Sequence, residues 1–108
     1  MNSTTIRTLA LLCLFTAWLP VQVSASTSDE WRFQVFLDEK PIGFHHFRLN
    51  TAGDTRELRG EARFSVKLLG FTVYDYSHQN MELWQQGCLQ QIEASTDDNG
   101  RELFVRGN

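Results

Sequence analysis

The side chains best able to do chemistry here are three histidines (His45, His46 and His78), the thiol of Cys88, and the pair Tyr74 and Tyr76. His45 and His46 are adjacent, so on an extended chain they point to opposite faces and cannot chelate one ion without distortion. A metal site would need one of them with His78 and an acid such as Asp75 or Glu61, and no spacing specifies that set. Cys88 and His78 fall on neighbouring expected strands, where a thiolate–imidazolium pair can be drawn. Only Gly87 precedes the cysteine, with no helix N-terminus to activate it, so a buried structural thiol is the plainer reading.

Tyr74, Tyr76 and His78 recur at period two and share one side of a strand. Rings so placed pack on a greasy ligand while hydroxyls and imidazole fix its polar end. The plain alternative is cross-strand packing on a partly wet sheet face. Arg59, Arg63 and Lys67 alternate with Glu61, which reads as a solvated strand face whose ion pairs are worth a few tenths of a kcal/mol each. The chain has no GxSxG, no HExxH, no glycine-rich phosphate loop and no carboxylate pair placed by spacing. No catalytic residue, metal site or cofactor is therefore assigned. The ligand-lining candidates are Tyr74, Tyr76, His78, His46 and Phe64.

The elements that must position these residues alternate at period two, the signature of half-buried strands. Trp31, Phe33, Val35 and Leu37 share one face, and a turn over Asp38 to Gly43 follows, with Pro41 and Gly43 as its turn residues. Gly43 to Asn50 sets Phe44, His46 and Arg48 against His45, Phe47 and Leu49. Thr51 to Asp54 turns the chain into its longest extended segment, where Leu58, Gly60, Ala62, Phe64, Val66 and Leu68 share a face. Gly60 is expected to mark a bulge or bend. After Gly70, the segment Phe71 to Trp84 alternates until Met81, Leu83 and Trp84 break the pattern, so a bulge is expected near Asn80. Gln85 to Gly87 turns into Cys88 to Thr96. Asp97-Asp98-Asn99-Gly100 then gives the strongest hairpin signal in the chain, because Asn-Gly accepts positive φ at both central positions. Arg101 to Arg106 returns. The expected fold is all-β: an antiparallel up-and-down meander of about six strands, as a curled sheet or partial barrel.

Ahead of this domain, residues 1–25 read as a signal peptide helix. Arg7 is its one charge, Leu9 to Leu19 is an apolar run of about 11 residues, and Val23-Ser24-Ala25 offers a cleavage site after Ala25. A spanning helix needs roughly 20 residues, so no stable membrane span is expected after cleavage. A lipoprotein would cleave before Cys13, but Leu12 stands where that processing wants a small residue. The expected product is periplasmic or secreted, with residues 26–30 a flexible leader and 31–108 the β domain. All 13 acids lie past residue 25, so the mature chain is more acidic than the overall −3. That disfavours nucleic acid as a partner. Cys88 is the one cysteine past the leader, so no internal disulfide forms and packing alone must hold the domain.

Leu37-Asp38-Glu39-Lys40-Pro41-Ile42-Gly43-Phe44-His45, Gly60-Glu61-Ala62-Arg63-Phe64 and Thr96-Asp97-Asp98-Asn99-Gly100 resemble a family of small bacterial periplasmic proteins of unknown function. The resemblance covers most of residues 31–108 and implies no catalytic residues. Its members run longer, which implies that these six strands are the first part of a larger domain. More loosely, the long-stranded sheet is similar to the half-barrel of periplasmic lipoprotein carriers. The function expected is a non-enzymatic binding module for a hydrophobic or lipid-like molecule. The alternatives are an interaction protein pairing through an open strand edge, or a His/acid-dependent enzyme. Oligomeric state is left open.

Overall fold

The computed structural model describes residues 20–108. The expected signal helix lies outside the described residues, and Pro20 to Ala25 are exposed without regular structure. The remainder is six strands: β1 (Ser26–Leu37), β2 (Lys40–Ala52), β3 (Thr55–Leu68), β4 (Phe71–Gln85), β5 (Cys88–Asp98) and β6 (Arg101–Gly107). They form one antiparallel sheet in sequence order, open at both edges. The meander read from the period-two pattern is the fold.

Each connection is a two-residue hairpin, because the paired residues Leu37/Lys40, Ala52/Thr55, Leu68/Phe71, Gln85/Cys88 and Asp98/Arg101 leave only two between them. In four turns both central residues have positive φ: Asp38-Glu39, Leu69-Gly70, Gln86-Gly87 and Asn99-Gly100. That geometry matches the right-handed strand twist. The first turn is therefore Asp38-Glu39, and Lys40, Pro41 and Ile42 already belong to β2. Pro41 lacks an N–H, which costs nothing there because β2 pairs with β3 only from Gly43 onward.

Three further expectations are corrected. Ser26 to Glu30 is no loose leader: it opens β1 and pairs with Arg48 to Ala52. Glu30 there takes Arg48 at 2.8 Å and Arg32 at 3.0 Å. Gly60 marks no bulge, since it pairs in regular register with Phe47 and Asn80. No bulge falls near Asn80 either. The ladder shifts at Ile42, Val73 and Gln90, each the unpaired extra residue opposite Val35/Phe36, Val66/Lys67 and Leu83/Trp84. The alternation in β4 is unbroken from Tyr74 to Trp84. It reads as broken only because Asn80 and Glu82 take the apolar side while Met81 and Leu83 take the polar one.

Register then sorts every side chain. One face carries Trp31, Phe33, Val35, Phe47, Leu49, Leu58, Ala62, Phe64, Val66, Tyr74, Tyr76, Trp84, Ile92, Ala94, Leu103 and Val105. The other carries most of the charges, laddered as Arg59–Glu57 at 2.7 Å, Arg63–Glu61 at 3.2 Å and Arg106–Glu93 at 3.2 Å, while Asp29, Arg56, Glu82, Asp98 and Arg101 fall on the apolar side, toward the sheet's edges and turns. Among the described residues only Gly60 and Ala62, at the middle of the central strand, are buried. Among the described residues the sheet is a single layer, with no second layer against its apolar face.

Candidate functional site

The site is best built outward from Ala62. Directly across from it lie His45 on β2 and His78 on β4, and the row continues to Phe33 on β1, Thr96 on β5 and Leu103 on β6. A methyl group between two imidazoles leaves a shallow polar spot inside an apolar field. Nδ1 of His78 and Oγ1 of Thr96 are hydrogen-bonded at 2.8 Å, a contact either imidazole tautomer satisfies because a hydroxyl both donates and accepts. His45 packs against Phe47 with ring centroids 4.2 Å apart. Partial burial, reinforced by His78 and His46 nearby, pushes the His45 pKa below its ordinary value.

The next row holds Gly43, Phe64, Tyr76 and Asp98. Phe64 and Tyr76 stack at 5.4 Å with planes 8° apart, forming a continuous aromatic floor. Beyond them the Tyr74 hydroxyl donates to Oδ1 of Asp98 at 2.7 Å, which raises the tyrosine's pKa. Trp31, Phe33 and Phe47 bound the floor on the β1 side, with Phe33 and Phe47 edge-on at 6.2 Å.

Four of the five residues singled out from sequence thus come together: Tyr74, Tyr76, His78 and Phe64. His46 does not. It lies on the charged face, stacked on Phe44 at 4.4 Å, and His45 takes its place beside the tyrosines. The readable signal was parity: Phe47 and Leu49 mark the apolar side of β2, and His45 is in step with them.

Cys88 is also placed against expectation, for it is exposed. It closes the β4–β5 turn opposite Gln85, eight residues along β5 from Thr96, roughly 25 Å from His78 at strand rise. Asp75 faces the charged side. His45 and His78 are two strand spacings apart, about 10 Å. None of His45, His46, His78, Asp75 and Cys88 hydrogen-bonds to another, so no nucleophile or acid–base pair is assembled among them. No group of three or more His, Cys, Asp or Glu among the described residues is placed to hold a metal ion.

Depressions are also present on the sheet's other side. Three open grooves of about 550, 520 and 450 Å³ are lined mainly by charged-face residues such as Arg59, Glu93, Arg48, Glu61 and Arg32.

Residues 33–108 match the family described as Domain of unknown function (DUF6134). No curated protein and no solved structure matches the chain.

Proposed function

This chain belongs to the DUF6134 family, a domain of unknown function, and on that premise we propose that its apolar face binds a hydrophobic, lipid-like molecule in the cell envelope. One observation carries the reading: apolar side chains from all six strands share one face, and only Ala62 among them is buried. An exposed apolar patch of this extent marks a surface made to be covered.

The chemistry of the face selects the occupant. A flat floor of Phe64 and Tyr76 suits an acyl chain or ring lying along the sheet, while the His45–Ala62–His78–Thr96 row offers donors and acceptors to a polar head. An amphiphile uses both. A purely apolar partner would leave the imidazoles unmatched, at a cost that rises with their burial. Export to the periplasm or beyond is supported by the pattern of residues 1–25, a charged start followed by a short apolar run and small residues.

A second reading has its own observation. Among the described residues β1 and β6 both end the sheet with unpaired strand edges, and such edges recruit extended partners. Displacement of an environment-sensitive apolar dye by fatty acid or phospholipid separates the two. The face reading expects saturable displacement, weakened about fivefold or more in Phe64→Ala, since loss of an aromatic contact is worth about 1 kcal/mol. Dye binding indifferent to Phe64→Ala, with a concentration-dependent rise in mass, supports edge pairing instead.

A further inference from the structure

The β3–β4 hairpin outruns its neighbours. β2 pairs with β3 only as far as Phe64, and β5 pairs with β4 only as far as Tyr76. The Asn99 N–H donates to the Asp75 carbonyl at 2.7 Å, fixing the β5–β6 turn at that level. From Ser65 to Tyr74 the hairpin is a two-stranded finger that pairs with no other described strand, since β2 carries on only through Lys40–Ile42 and pairs there with β1. Its tip is apolar: Leu69 is 90%, Phe71 76% and Leu68 63% exposed.

Neither water nor turn chemistry explains that tip. The other four turns carry Asp38-Glu39, Gly53-Asp54, Gln86-Gly87 and Asn99-Gly100, each with a charged or amide side chain. Only Leu69-Gly70 has none, and Leu69 sits at φ 52°, where Asn, Asp or Gly is favoured. A leucine there gains no contact that offsets its exposure.

We infer that this finger enters the interfacial layer of a lipid bilayer. This rests on the lipid-binding reading above and deepens it by naming the membrane as the source of the ligand. The finger is amphipathic: Leu68 and Phe71 continue the apolar face through Val66 and Tyr74, whereas Lys67 and Thr72 lie on the polar side. No acid occurs from Val66 to Tyr74, and Lys67 is the one charge, which complements lipid phosphate. A protruding apex offers little area to a folded partner, but a fluid layer closes around it. The adjacent β1–β2 tip also exposes Phe36 and Leu37, yet Asp38 and Glu39 at its apex keep it in water. Apolar surface then runs unbroken from Leu69 to the aromatic floor.

The test uses vesicles of phosphatidylcholine, with and without phosphatidylglycerol, and protein processed by its producing cell. Wild type and variants are prepared identically, so any contribution of residues 1–25 cancels. Leu69→Asn suits the turn and preserves the fold. It should weaken flotation with vesicles about tenfold or more, as expected for one withdrawn leucine, and leave dye displacement in vesicle-free buffer unchanged. In Leu69→Trp, brominated lipids should quench the added fluorescence and vesicles should shield it from aqueous acrylamide. Flotation equal to wild type in Leu69→Asn, or a tryptophan at 69 that acrylamide reaches equally with vesicles present, overturns the inference. So does a Leu69→Asn effect confined to the oligomeric mass, which assigns the tip to a second copy. Flotation that depends on Leu69 without any dye displacement sinks the lipid-binding face and leaves the membrane contact standing.

Discussion

His45 is the residue whose chemistry responds most directly to the face it occupies. Its folded-state pKa is lowered, first by burial and then by the two neighbouring histidines. A base whose pKa falls on folding takes up protons more readily in the unfolded chain. Its contribution to stability is full above the ordinary histidine value of about 6.5 and is lost as pH falls through the lowered folded value. Unfolding free energy, measured by urea titration, should therefore decline below neutrality, and His45→Gln should flatten that decline. An unchanged slope in His45→Gln would remove His45 from the apolar row. The same residue marks the limit of sequence reading. Alternation separates His45 from His46, but which parity joins Tyr74, Tyr76 and His78 depends on pairing across β3. Only the apolar companions Phe47 and Leu49 hint at it.

At the scale of elements, the strands and their order were legible because nothing else fits period-two alternation cut by glycine-bearing turns. The bulges were not. An extra residue at Ile42, Val73 or Gln90 changes pairing without changing composition, and each sits near a turn where alternation has no flank on which to show a slip. Ser26 to Glu30 was equally opaque, since a polar edge segment looks like a loop until its partner is known. The glycines separate two kinds of constraint. A Cβ at Gly43 would run into the Arg63 backbone carbonyl, whereas one at Gly60 would meet the Asn80 side-chain amide, which can swing aside. Gly43→Ala should therefore destabilise by about 1–3 kcal/mol, as overpacking against backbone does, and Gly60→Ala by less than about 1 kcal/mol. Urea midpoints at constant m-value check the order. Equal losses would mean that β2 and β3 are not so closely spaced at Gly43.

For the molecule as a whole, the two faces have opposite fates. The charged face satisfies itself: Glu30, Glu57, Glu61 and Glu93 each hold an arginine, and such exposed pairs contribute little to stability. The apolar face leaves Trp31, Phe33, Leu103 and Val105 at 44–55% exposure, more greasy surface than a sheet keeps bare in water. On the proposed reading, whatever covers that face determines what the protein does. Aromatic floor, histidine row and apolar finger lie on one face of the sheet, and the occupant proposed above, an amphiphile drawn from a bilayer, would meet all three. Native mass spectrometry of the protein taken from its producing cell tests this most directly. The account predicts a non-covalent adduct of lipid-like mass, soluble in organic extract and depleted in Phe64→Ala. A bare chain under conditions that preserve the fold, or an adduct untouched by Phe64→Ala, would contradict it.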